Sequence, residues 1–118
     1  MSARLAEATA GIRQLAAEGF RDAARHEAAE EWTEAVRGYE SLRPYASSLP
    51  ALAEATERAR RRMHEAGVNA LTRARQYDTQ GRLPEAAAWY KRAVEWLPPD
   101  HAGLPEARAR LAQLGNRP

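Results

Sequence analysis

The 118-residue chain has no cysteine, one lysine, one phenylalanine and two methionines. Without cysteine there is no disulfide framework and no thiolate metal site. No apolar run approaches the roughly 20 residues needed to cross a bilayer. The opening MSARLAEATAG lacks the apolar centre of a secretory signal, so the cytoplasm is the expected location and no membrane partner is expected. Few residues are β-branched and no stretch alternates apolar with polar, so no strands are expected. There is no glycine-rich phosphate loop, no HExxH and no serine in a nucleophile setting, and the chain is therefore read as a non-enzyme without cofactor or metal. Charge of one sign is also missing. The 18 basic and 16 acidic residues leave a net charge of +2, weak support for a polyanion partner.

What the chain does have is 27 alanines and 17 arginines. Both are strong helix formers, and the bias is read as one of the coding genome. Apolar residues recur at steps of three and four along five stretches, the period of a helical face. The first stretch carries Leu5, Ala8, Ile12, Leu15, Gly19, Ala23 and His26, with Ser2 as a cap. A second carries Trp32, Ala35, Tyr39 and Leu42 after a turn near Glu30 and Glu31. A third, opening near Pro50, carries Leu52, Ala55, Ala59, Met63, Ala66, Ala70, Ala74 and Tyr77. A fourth carries Leu83, Ala86, Tyr90, Ala93 and Leu97, and a short fifth Leu104, Ala107, Leu111 and Leu114. The tail Gly115–Pro118 is expected to fray. Gly19 and Gly67 interrupt the two long stretches without breaking their phase, so a kink at either is open. Gly81 suits a left-handed helix end, Pro84 a helical first turn, and Pro98 with Pro99 a stop.

The fourth stretch and the helix before it carry Ala74, Tyr77, Gly81, Leu83, Ala86, Tyr90, Ala93, Val94 and Pro98 at fixed spacing. This pattern resembles a tetratricopeptide repeat, a helix–turn–helix of about 34 residues. The chain departs from it at Arg73, where the family has leucine, and in lacking the early tryptophan. The match covers about residues 67–98. A degenerate copy over about 16–47 keeps Ala23, Trp32, Ala35 and Tyr39, each 51 positions before its counterpart, with His26 and Glu30 standing for Tyr77 and Gly81. LAEAT occurs at Leu5–Thr9 and again at Leu52–Thr56, and Leu49-Pro50 is matched with Leu104-Pro105. The expected fold is all-α. Antiparallel hairpins of about five helices form a short solenoid or bundle in one domain, 1–118, with unit one at about 2–48, unit two at about 49–99 and a capping helix at about 103–115.

The resemblance implies a scaffold whose first helices line a peptide-binding groove. The matching positions are Phe20, Arg21, Ala24 and Glu27 in unit one, and Leu71, Thr72, Arg75 and Asp78 in unit two. The lysine–asparagine pattern that clamps a terminal carboxylate in some relatives is absent. Trp89 occupies a position that is variable in the family, with Arg92 between it and Trp96, and is a partner-contact candidate on another face. The expected function is docking of a peptide or helix from another protein. A homodimer through the uncapped first helix is the first alternative, and a three-helix module like the microtubule-interacting-and-transport domains is a second. A weak nucleic-acid site at Arg58, Arg60, Arg61 and Arg62 is a third. Against it, Glu54–Arg58, Glu57–Arg61 and Arg61–Glu65 stand four apart and can pair on a solvated face. Asp22, His26 and Glu30 share a helical face but lack further ligands, and His64 and His101 stand alone in the sequence.

Overall fold

The computed structural model describes the backbone of residues 3–115 and the side chains of residues 10–115. The cap at Ser2 and the tail Asn116–Pro118 lie outside the described residues, as do the side chains of Leu5 and Ala8. Among the described residues five α-helices follow one another: α1 (Ala3–Ala28), α2 (Trp32–Ser41), α3 (Leu52–Thr79), α4 (Leu83–Trp96) and α5 (Leu104–Gly115). A 3-10 segment at Arg43–Ser48 links α2 to α3. No strand occurs among the described residues. The fold is all-α, built of antiparallel helical hairpins.

Both long helices run unbroken through their glycines. The glycines serve close approach instead. A Cβ on Gly67 would stand 2.9 Å from the Leu97 backbone nitrogen and 3.0 Å from the Trp96 carbonyl carbon, and one on Gly19 would stand 2.9 Å from Leu42 Cδ2.

Two turns of one design close the hairpins. The Gly81 amide donates to the Asp78 carbonyl and Arg82 to Tyr77, at 3.0 and 2.9 Å. Fifty-one positions earlier, Glu30 donates to Glu27 and Glu31 to His26, at 3.0 and 2.9 Å. This paired pattern satisfies the last carbonyls of a helix and needs a left-handed residue at its centre. Gly81 has φ of 74° and Glu30 φ of 60°. Only the glycine adopts that conformation without steric cost.

The chain divides into two compact units, one ending at Arg60 and one starting at Arg61. The division falls inside α3 rather than near residue 48, because the first turns of α3 complete the core of the first unit. That core is Ala16 and Ala23 of α1, Ala35, Val36 and Tyr39 of α2, Leu42, and Leu52, Ala55 and Ala59 of α3. The second unit's core has Ala70, Leu71 and Ala74 of α3, Ala86, Tyr90 and Ala93 of α4, Leu97, and Leu104 and Ala107 of α5. Alanine dominates both seams. Its short side chain lets helix backbones approach, and one tyrosine per unit fills the remaining space.

The internal repeat takes a corrected register in its last helix. Leu104 opens α5 as Leu52 opens α3, and both are buried. The matching offset is therefore 52, giving Leu52–Leu104, Ala55–Ala107 and Arg58–Arg110. Pairing Leu49-Pro50 with Leu104-Pro105 places one helical turn too many in the second unit. Among the described side chains of α1, burial begins at Ala16, and Ala23 is the buried member of the apolar stripe. Ile12 and Leu15 are 48% and 68% exposed, so the packing expected for them is absent.

Candidate interaction surfaces

The residues transferred from the repeat family's groove divide sharply by environment. Glu27 is only 5% exposed. Its Oε1 accepts from the Tyr39 hydroxyl at 2.8 Å and from Arg58 Nη2 at 2.8 Å, and its Oε2 accepts from Arg58 Nε at 2.8 Å. Asp78 repeats the arrangement in the second unit. Its Oδ2 accepts from the Tyr90 hydroxyl at 3.0 Å and from Arg110 Nε at 2.7 Å, and its Oδ1 from Arg110 Nη2 at 2.8 Å. Each carboxylate thus joins three helices: α1, α2 and α3 in one unit, α3, α4 and α5 in the other. A planar guanidinium gripping a carboxylate through two parallel bonds is among the stronger polar contacts available to a protein.

The other groove positions follow the same division. Leu71 is buried in the second core. Phe20 stacks at a tilt on Tyr39, ring centroids 5.3 Å apart. Arg75 is bidentate to Glu106 at 2.7 and 3.0 Å. Ala24 is half-buried, and Arg21 and Thr72 are exposed.

Electrostatics agree with a holding role for these groups. Burial pushes the Tyr39 hydroxyl above its ordinary range, and donation to Glu27 adds to the effect. The same causes, with Asp78 as acceptor, push Tyr90 up to about 12. Hydrogen bonds to Glu27 and Asp78 raise Arg58 and Arg110. The hydrogen bonds from Arg75 hold Glu106 below the usual carboxylate range. A general acid or base works best near neutrality, and every one of these shifts leads away from it.

Two open grooves lie on the second unit. The larger, about 610 Å³, is lined by Asn69, Thr72, Arg73, Gln76, Tyr77, Gln80 and Arg82. The smaller, about 380 Å³, shares Thr72, Gln76 and Gln80 with it. Beside them stands Trp89, half-buried, its body packed on the second core. Its ring holds two guanidiniums, Arg92 at 4.4 Å and Arg73 at 5.0 Å from the centroid. Arg82 lies 4.9 Å over Tyr77 in the same way. Arg73 and Trp89 both stand outside the repeat family's usual pattern, and they touch. Trp96 packs beside the same core, half-buried.

The arginine run of α3 is less available than its sequence implies. Arg58 grips Glu27, and Arg60 reaches Glu40 at 3.0 Å. The expected Glu54–Arg58 pair is replaced by this longer reach. Asp22 pairs with Arg25, His26 Nδ1 lies 3.1 Å from Glu31 Oε1, and Glu30 sits in the turn. The three thus have separate surroundings, and no group of three metal-ligating side chains occurs among the described residues. His64 and His101, far apart in sequence, meet edge to face with centroids 5.4 Å apart. The sequence singled out Arg58 only as part of the basic run and Arg73 only as a departure from the repeat pattern, and it did not single out Arg110 or Arg82. Arg58 and Arg110 were within reach of the 52-residue register; the stacking of Arg73 and Arg82 leaves no sequence signature.

Among the described residues, no helix is long and apolar enough to cross a membrane. No protein-family model, no curated protein and no solved structure matches the chain.

Proposed function

We propose that this chain is a non-catalytic protein–protein interaction module, in which pinned helical hairpins present a firm surface to a peptide or helix of another protein. The observation that carries the reading is the uncovered stripe on α1. Ile12 and Leu15 lie three apart on one face, 48% and 68% exposed, on a helix whose later turns bury the same side. Contiguous exposed apolar residues on a folded surface mark contact sites. An amphipathic helix from a partner fits such a stripe through its own three-and-four spacing. The 51-residue repeat and the left-handed turn at Gly81 support reading the second hairpin as a tetratricopeptide-like unit and the first as its degenerate copy.

The same stripe also supports self-association. Leu5, Ala8, Ile12, Leu15 and Gly19 alternate steps of three and four, the spacing of a two-helix seam. The nucleic-acid alternative is weaker, since Arg58 and Arg60 are engaged within the first unit.

Light scattering over a hundredfold concentration range, with anisotropy of a labelled leucine-rich amphipathic helical peptide, tests the reading. Ile12→Glu and Leu15→Glu should leave the fold intact, because both residues are exposed. They should abolish either peptide binding or dimerisation. A dimer lost in the variants assigns the stripe to self-assembly, and a monomer that loses peptide binding assigns it to another protein. Peptide binding and molar mass both indifferent to the two substitutions would reject the reading.

A further inference from the structure

We propose that the face of α3 and α4 around Trp89 docks an acidic segment of a partner protein, its carboxylates set against Arg73 and Arg92. The inference rests on reading the chain as a protein-docking module and concerns a different face from the α1 stripe.

Three observations converge on this chemistry. The first is the state of the arginines. Several other arginines are spent on carboxylates: Arg58 on Glu27, Arg60 on Glu40, Arg75 on Glu106 and Arg110 on Asp78. Arg73 and Arg92 meet no carboxylate among the described residues and lie instead on the Trp89 ring. An aromatic face holds a guanidinium in place while its N–H edge stays available, because the attraction runs through the π-face. Two cations are thereby oriented and left with unused donors.

The second is the adjoining groove. Arg73 lines it, followed by Asn69, Gln76 and Gln80, whose amides can donate or accept. No carboxylate is among the residues lining either groove. The acid at its edge is Glu85, 3.5 Å from Arg82. A groove whose lining offers cations and amides, and whose edge acid already faces Arg82, is complementary to an extended chain carrying aspartate or glutamate.

The third separates this partner from nucleic acid. Single strands are held by aromatic faces on which bases stack. The Trp89 ring already carries two guanidiniums and its body packs on the core, so it is a poor platform.

The test is fluorescence anisotropy with a labelled peptide of about 12 residues, alternating glutamate and leucine, at low salt where such steering is strongest. The probes for comparison are the same peptide with every glutamate replaced by glutamine, and a single-stranded oligonucleotide of equal charge. The glutamate peptide should bind, and the glutamine peptide should bind at least about tenfold more weakly. Arg73→Gln with Arg92→Gln should weaken the glutamate peptide by about tenfold. Arg61→Gln with Arg108→Gln removes the same charge from other exposed positions and should change binding less than about twofold. All four arginines are exposed, and unchanged helical circular dichroism confirms that the variants fold.

Equal binding of both peptides, or an equal effect of both double variants, overturns the proposal. So does an oligonucleotide that binds more tightly than the glutamate peptide. Failure of the glutamate peptide to bind sinks the acidic-segment assignment alone. The docking reading then still stands or falls on Ile12 and Leu15.

Discussion

Neutralising Glu27 should unfold the first unit far more readily than neutralising an exposed acid a few residues away. Glu27→Gln keeps the shape of the side chain and removes its charge. Three contacts at 2.8 Å are affected: one from the Tyr39 hydroxyl and two from Arg58. The amide oxygen can still accept from Tyr39. Its NH2 then faces a guanidinium that can only donate. Arg58 is 36% exposed and can turn to water, so it is not stranded as a buried charge. What is lost is a bidentate charge-assisted contact, about 2–3 kcal/mol. For a domain of this size that lowers Tm by roughly 6–12 °C. Glu40→Gln, whose partner Arg60 is 43% exposed in a pair that is itself exposed, should cost less than about 1 kcal/mol. Urea unfolding followed by circular dichroism measures both. A Glu27→Gln loss as small as that of Glu40→Gln would refute the claim that the buried carboxylate holds the three helices.

Glu30 occupies a left-handed position with φ of 60°, so Glu30→Gly should raise stability by about 0.5–1 kcal/mol, while Gly81→Ala, at φ of 74°, should lower it by about 1–2 kcal/mol. Urea midpoints check both signs. Alkaline stability should fall above pH 10. Below that pH the Tyr90 hydroxyl keeps its proton in both states. Between 10 and 12 it ionises only in the unfolded chain, because its folded value is pushed up to about 12. The contribution present below pH 10 is thus lost as pH rises to 12, about 2–3 kcal/mol in all at 1.4 kcal/mol per unit. Tyr39 acts in the same direction, and Tyr90→Phe should flatten the pH dependence of the urea midpoint. Two helical glycines should respond oppositely to alanine. Gly11→Ala meets nothing within 4 Å and should gain about 0.5–1 kcal/mol. Gly67→Ala meets the backbone of Leu97 and Trp96 and should lose about 1–3 kcal/mol in thermal unfolding.

Helical periodicity was enough to read the fold class, since five stretches keep one phase each and local spacing decides which face is apolar. Ala35, Tyr39, Ala86, Tyr90, Ala93 and Leu104 are buried where their spacing puts them. Ile12 and Leu15 obey the same spacing and stay exposed, because periodicity names a face without saying how far along the helix a neighbour extends. The carboxylates were harder. Glu27 and Asp78 read as groove positions because nothing local distinguishes an acid facing water from one gripped by an arginine 31 or 32 residues on. The 51-residue copy of Glu27–Tyr39 in Asp78–Tyr90 was present in the sequence. Its third member appears only when α3 is aligned with α5 from Leu52 and Leu104, a register that the matching Leu-Pro pairs obscured. The stacking of Arg92 on Trp89 is an i,i+3 contact within α4, whereas that of Arg73, 16 residues before Trp89 and on α3, follows from the hairpin rather than from any spacing rule.

The repeated pin also bears on why two acids lie at seams in which alanine is the commonest residue. A row such as Ala70, Ala74, Ala86 and Ala93 is uniform. A helix sliding by one turn would meet nearly the same surface, so apolar burial alone discriminates poorly between registers. A carboxylate bonded to a hydroxyl and a guanidinium from two other helices fits one register only. Buried polar contacts of this kind can be neutral or costly to stability and still select one arrangement. The hypothesis gives a separable outcome for the triple change Glu27→Leu, Tyr39→Phe and Arg58→Met. It leaves no unmatched donor or acceptor from the pin, so stability should stay within about 2 kcal/mol of the parent, unlike the loss from Glu27→Gln alone. The amide proton–nitrogen correlation spectrum should nevertheless show broadened or doubled signals for α1 and α2, as alternative registers exchange. A single sharp set of signals in the triple variant would sink the register argument and leave the pins as contributors to stability only.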